Sequence, residues 1–175
     1  MANHTLIRLG VRHEWYEAER LLVSAVCDSL GEPFEVRQEN HANIRQHWPR
    51  TKCIWFVHLP GTKPRGNPMQ PDDYGFMVFF NNYSKQEWEF RHPVNAWERW
   101  AQSRVSHTLA KQYGLQLYND GEDEYRDPDP EILAHPTYAQ YLSRNFQKPL
   151  EVASREYLQR LLDTWAPPSC RSLAP

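Results

Sequence analysis

Three residues that could do chemistry lie on the two arms of a predicted hairpin. Asp72 follows a proline just before an apolar run, and Glu89 and Arg91 lie in the alternating run that follows it. If the two runs pair as antiparallel strands, Asp72 and Glu89 approach the same end of the sheet. These three are the candidate catalytic residues. A surface turn around Asp72 and the wet face of an edge strand explain the same residues without catalysis.

The predicted element order is a helix, three strands, a helix and a strand. With these residues, it resembles the core of the PD-(D/E)xK nuclease superfamily. The resemblance implies a metal-dependent nuclease, in which Asp72 and Glu89 bind a divalent metal ion that activates water. It also implies a further carboxylate from the first helix, at Glu17 or Glu19. Arg91 departs from the family, which has lysine there, because arginine does not lose its proton at working pH. A nuclease with a degenerate site is therefore the alternative hypothesis, and the metal belongs to it alone.

Histidine and cysteine spacing predicts neither a metal site nor a nucleophile. None of the eight histidines forms an HxH, HExxH or HxxxH pair. His58 and His92, at the ends of two predicted strands, are the pair that could meet across the sheet, and structural hydrogen bonding explains each as well. The three cysteines are odd in number and lack CxxC spacing, which argues against a disulfide framework. Cys53 falls in an apolar strand, where its thiol stays protonated.

Phosphate-binding signatures such as GxxxxGK[ST] and GxGxxG do not occur in the sequence. A surface for phosphate contact and base stacking would combine Trp48 with the basic residues Arg45, Arg50, Lys52, Lys63 and Arg65. The formal charge of −2 favours ordinary loop charges instead. Nucleic acid is expected only under the nuclease alternative.

The favoured hypothesis is a non-catalytic protein-binding or regulatory protein, similar in type to toxin-immunity and phage–host adaptor proteins. The chain is small and carries seven Trp, nine Tyr and seven Phe. Exposed aromatic residues anchor protein interfaces, and carboxylates steer a basic partner. The candidate binding residues are Trp48, Tyr118, Asp120, Glu122, Asp123, Glu124 and Tyr125. No cofactor is expected for this function.

The predicted fold is organised around residues 52–92. Two apolar runs, at 52–59 and 74–80, have the length and composition of strands, and both faces of each need cover. The alternating run at 86–92 has one wet face, which predicts a position near a sheet edge. Residues 60–73, with four prolines and two glycines, are predicted to form a loop.

Apolar spacing predicts one helix at residues 12–30 and another at 95–113. The predicted fold is α+β: an antiparallel or mixed sheet of about four strands, with a helix before and after the central hairpin and C-terminal helices covering the second face. Residues 1–118 form the predicted sheet core, 119–131 an acidic linker with seven carboxylates, and 132–166 a helical part packed on the core. No apolar run is long enough to span a bilayer and no signal-like segment opens the chain, so a cytoplasmic protein without a membrane partner is expected.

Overall fold

The computed structural model describes residues 4–30, 34–39, 41–58, 75–82, 86–93 and 96–134, and the architecture below is that of these residues. They contain seven strands: β1 (Thr5–Arg8), β2 (Glu35–Gln38), β3 (Thr51–His58), β4 (Gly75–Asn82), β5 (Gln86–Phe90), β6 (Leu117–Asn119) and β7 (Glu124–Arg126). The strands form one sheet in the order β2-β3-β4-β5-β1-β6-β7. Every neighbouring pair is antiparallel.

The prediction of a sheet of about four strands was wrong, since the structure has seven. The three additional strands, β1, β2 and β7, are only three or four residues long. β1 is inserted between β5 and β6, with Ile7 opposite Trp88 and Leu6 opposite Tyr118. β7 lies inside the acidic segment 119–131 that composition assigns to a linker. Such short strands are stabilised more by pairing with neighbouring strands than by their own propensity. The local sequence pattern therefore does not give their number.

β5 also differs from its predicted position near a sheet edge. It lies in the interior of the sheet, between β4 and β1. Charged residues on one face of a strand normally indicate contact with water. Here Glu87 and Glu89 are instead partnered by side chains of the adjoining strands.

Two long helices cover one face of the sheet, as apolar spacing predicts. α1 (Trp15–Ser29) and α3 (Ala96–Tyr113) contact each other, and their buried residues join the main core. The backbone N–H of Glu14 donates to the Glu17 carboxylate at 3.0 Å where α1 begins. Gly114, with φ +66°, ends α3 in the left-handed conformation that favours glycine. Two short helices complete this part of the chain, α2 (His41–His47) and α4 (Pro130–Leu133).

The main core between the sheet and these helices is aromatic. The Trp88 ring centroid lies 4.8 Å from that of Phe80 and 5.4 Å from that of Trp55, and all three side chains are fully buried. Each indole N–H has a partner: Trp55 Nε1 donates to Glu19 at 2.8 Å, and Trp88 Nε1 donates to the Tyr113 hydroxyl at 3.2 Å. Burying both indoles therefore leaves neither donor unsatisfied.

Arg104 links three helices beneath this core. Its side chain is 3% exposed, and Nε donates to the carbonyl of Ser29 at 2.7 Å, at the last residue of α1. Nη1 donates to the carbonyl of Ile132 in α4 at 3.1 Å. A cation is favourable at a helix C-terminus because unpaired carbonyls and the helix dipole make it negative.

We call the sheet face opposite α1 and α3 the second face. α2 covers part of it, where Ile44 packs with Ile54 and Phe79 in a small apolar cluster. The predicted loop at 60–73 and the predicted helices beyond residue 134 lie outside the described residues.

Candidate functional site

Glu89 lies at the centre of a polar network on the second face. Its side chain is 10% exposed, and Oε2 accepts a hydrogen bond from Asn81 Nδ2 at 2.6 Å. Oε1 lies 3.0 Å from His4 Nδ1 and 3.1 Å from Arg91 Nε. Asn81 is fixed in turn, because its Oδ1 accepts from Thr51 Oγ1 at 2.9 Å. Four segments of the chain therefore hold one buried carboxylate.

Of the three candidate catalytic residues, Glu89 and Arg91 lie together and Asp72 lies outside the described residues. The Arg91 guanidinium carbon lies 3.8 Å from the centre of the Phe79 ring, a cation–π contact. Both Glu89 oxygens already have protein partners. Among the described residues, no group of three or more His, Cys, Asp or Glu side chains is placed to hold a metal ion.

The additional carboxylates that the nuclease resemblance implies lie on the wrong side of the sheet. Glu19 accepts the hydrogen bond from Trp55, which faces the helices, and Glu17 lies at the start of α1. Glu89 lies on the second face. The sheet therefore separates these carboxylates from Glu89, and the metal-dependent nuclease stays a prediction that this geometry does not strengthen.

Glu87 is a second largely buried carboxylate in the network. One of its oxygens lies 3.5 Å from Asn81 Nδ2 and the other 3.7 Å from Arg8 Nε. Burial raises the pKa of Glu87 above its ordinary value, and the contacts with Asn81 and Arg8 oppose that rise. The nearby negative charge of Glu89 also raises the pKa of Glu87.

Arg8 connects this network to a pair of tyrosines on the outer hairpin of the sheet, of which Tyr125 is exposed and Tyr118 half-buried. Its guanidinium carbon lies 4.0 Å from the centre of the Tyr118 ring, and Nη1 donates to the Tyr125 hydroxyl at 2.8 Å. The two tyrosine ring centroids are 4.8 Å apart. The Tyr118 hydroxyl donates to Asp123 in the turn, and this bond raises the pKa of Tyr118. We call Tyr118, Tyr125 and Arg8 the tyrosine clamp.

The predicted acidic residues lie on the same hairpin as the tyrosine clamp, but on both of its faces. Asp120 accepts from the His4 backbone N–H at 2.6 Å. Glu122 and Glu124 lie on either side of Arg126, at 2.5 and 2.8 Å from Nη2. These contacts tie the carboxylates to the hairpin that carries the tyrosines.

Six of the seven candidate binding residues thus lie in one hairpin, and Trp48 lies elsewhere. Trp48 follows α2 and packs edge-on against Phe79, with ring centroids 5.8 Å apart. Phe79 belongs to β4, three strands from β6 in the sheet. His58 and His92 do not meet, since His58 lies 3.6 Å from Glu35 on the second face and His92 lines a cleft beside α3.

Sequence reasoning missed His4 and Arg8, which link the carboxylates to the tyrosines. The alternation of Leu6 and Arg8 with Ile7 and Leu9 marks two faces of a strand. Only the pairing of β1 with both β5 and β6 shows which residues Arg8 meets.

Comparison of the chain with family models, curated proteins and solved structures found no significant match. Within the described residues, no helix has the length and apolar character needed to cross a bilayer. The geometry of the second face is therefore the basis for assigning a function.

Proposed function

We propose that this chain is a non-catalytic protein-binding or regulatory protein, of the immunity or phage–host adaptor type, whose partner docks on the tyrosine clamp. The supporting observation is that Tyr125 is 51% exposed although its hydroxyl and ring are both held by protein contacts. An exposed ring that is already ordered loses little conformational entropy when a partner covers it.

The charges around the clamp indicate a basic partner. Glu122, Asp123 and Glu124 are exposed on the hairpin that carries the tyrosines. Asp123 accepts from Tyr118, whereas Glu122 and Glu124 pair with Arg126 on the helix-covered face. Carboxylates at an interface rim raise the rate of association with a cationic surface, and salt weakens this effect. Arg8 contacts both tyrosines and Glu87. It therefore does not compete with a basic partner for the exposed carboxylates of the hairpin.

The direct test places a photo-crosslinking amino acid at position 125 in the full chain, in cells that produce it. Position 16 is the matched control, since Tyr16 is also an exposed tyrosine, at 57%, but lies on α1. A discrete crosslinked protein at 125 and none at 16 is the expected result. Equal crosslinking at both positions would contradict docking on the clamp.

The crosslinked partner, once purified, allows affinities to be compared. Tyr125→Ala is expected to weaken binding by about 30-fold, the effect of losing an interface hot spot of about 2 kcal/mol. Tyr16→Ala is expected to change it less than about twofold. Neutralising Asp120, Glu122, Asp123 and Glu124 together should slow association and reduce its salt dependence. An unchanged association rate would mean that the acidic residues are not part of the docking surface.

A further inference from the structure

A polar cleft lies between α3 and the ends of β1 and β6, on the helix-covered side of the sheet and away from the tyrosine clamp. It consists of two adjoining depressions of about 230 and 470 Å³. Thr5, Ser103, His107 and Asn119 line both, so the depressions are parts of one cleft. The proposed docking function makes no use of it.

The smaller depression is lined mainly by polar and basic side chains, of which Gln102 already donates to Glu98 at 2.8 Å and Ser106 to the Ser103 carbonyl at 3.2 Å. Arg99 and His92 lie on its exposed side, and Gln102, Ser103 and Ser106 lie deeper in α3. Among the described residues that line it there is no Asp or Glu. In a chain with a formal charge of −2, such a lining favours an anion.

His107 is fixed as a neutral donor at the junction of the two depressions. Its Nδ1 accepts a hydrogen bond from the backbone N–H of Asp129 at 2.9 Å. The ring hydrogen must therefore be on Nε2, which acts as a donor. Burial lowers the pKa of His107 and outweighs the opposite effect of Asp129. The ring accordingly keeps this tautomer at neutral pH.

The larger depression is polar but has both signs of charge. Arg126 lines it together with Asp127 and Asp129. Both carboxylates already accept hydrogen bonds, Asp127 from Gln116 at 3.0 Å and Asp129 from the Glu131 backbone N–H at 2.9 Å. This part of the cleft suits a polar, uncharged group, whereas the smaller part suits an anionic group.

We propose that the cleft binds a small polar molecule through its carboxylate or phosphate group, which occupies the smaller depression. Arg99 supplies the positive charge, and His107 and Ser103 donate hydrogen bonds. The smaller depression alone is below the usual range of about 300–1,000 Å³ for ligand pockets, so the rest of the molecule extends into the larger one.

The test is an NMR titration of the full labelled chain with inorganic phosphate and with citrate, at constant ionic strength, and with glucose as a neutral probe. The expected result is saturable shifts of Ser103, His107 and Asn119 with at least one anion, at a Kd of about 1–10 mM, which is ordinary for a fragment of a ligand. Shifts that do not saturate, that avoid these residues, or that glucose reproduces overturn the proposal.

A matched pair of variants on α3 separates the cleft from general anion attraction. Arg99→Gln is expected to weaken anion binding about tenfold, the effect of one charge-assisted contact. Lys111→Gln removes the same charge at an exposed position outside the cleft lining and should change binding less than about twofold. Equal weakening by both variants overturns the proposal. If Arg99→Gln fails to fold, Ser103→Ala, which removes a lining hydroxyl and adds no atom, gives a second comparison with Lys111→Gln.

Discussion

Replacing Arg104 with methionine tests whether one buried cation holds α1, α3 and α4 together. Methionine fills a similar volume without a donor, so the carbonyls of Ser29 and Ile132 lose their charged partner. The side chain of Arg104 is 3% exposed, and burial lowers its pKa to about 10. The guanidinium is therefore desolvated, and its hydrogen bonds act where water does not compete for them.

The expected loss follows from the two contacts. A hydrogen bond to a charged group contributes about 1.5–3 kcal/mol net of desolvation, so losing two costs about 3–6 kcal/mol. We take the lower end, about 3 kcal/mol, because the lowered pKa of Arg104 indicates that burial opposes its charge. For a chain of 175 residues this corresponds to a fall in Tm of about 6–12 °C.

Urea unfolding at pH 7, followed by tryptophan fluorescence, measures this loss. Arg104→Lys should lie between the wild type and Arg104→Met, because an ammonium group reaches fewer carbonyls in this geometry. Lys111→Met, at an exposed position of the same helix, should stay within about 0.5 kcal/mol of the wild type. A loss below about 1 kcal/mol in Arg104→Met would refute the reasoning, since the carbonyls would then be satisfied without Arg104.

Two further predictions concern a carboxylate and a helix end. Burial raises the pKa of Glu87, so its contribution to stability is present at acid pH and is lost as pH rises through the folded-state pKa. Glu87→Gln should therefore raise Tm relative to wild type at pH 7 but not at pH 4, and equal changes at both would contradict the assignment. Gly114 has φ +66°, so Gly114→Ala should cost about 1–2 kcal/mol in urea unfolding. Gly10→Ala is the control, because neither position has an atom within 4 Å of an added Cβ and only Gly114 has the left-handed backbone.

The parts of the fold that local patterns could predict are those with long apolar runs. The two faces of β3 follow from its alternation: Trp55 and Val57 join the main core, and Ile54 joins the cluster under α2. α1 and α3 follow from helical spacing. β7 could not be found this way, since Glu124, Tyr125 and Arg126 are all exposed and the strand exists because it pairs with β6.

The candidate site was predictable only within one strand or hairpin. Glu89 and Arg91 are two residues apart, so their contact follows from strand geometry. Tyr118 and Tyr125 required knowledge that their segments form a hairpin. His4 and Arg8 are more than 70 residues from the strand they partner, and only the insertion of β1 beside β5 brings them there. Pairing over that distance is set by the whole sheet and leaves no local signal.

The outer hairpin contributes residues to both proposed sites, and strand alternation places those residues on opposite faces. Tyr118 and Tyr125 project to the second face, whereas Asn119 and Arg126, their neighbours in sequence, line the cleft on the helix-covered face. Because adjacent residues of a strand point to opposite sides, a substitution at Tyr125 removes docking surface without changing the cleft lining. A substitution at Arg99 changes the cleft lining without removing docking surface. If the two sites are independent, Arg99→Gln leaves partner binding unchanged and Tyr125→Ala leaves anion binding unchanged. Loss of both functions in either variant would contradict two independent sites, and amide exchange of β6 and β7 would show whether the hairpin has unfolded.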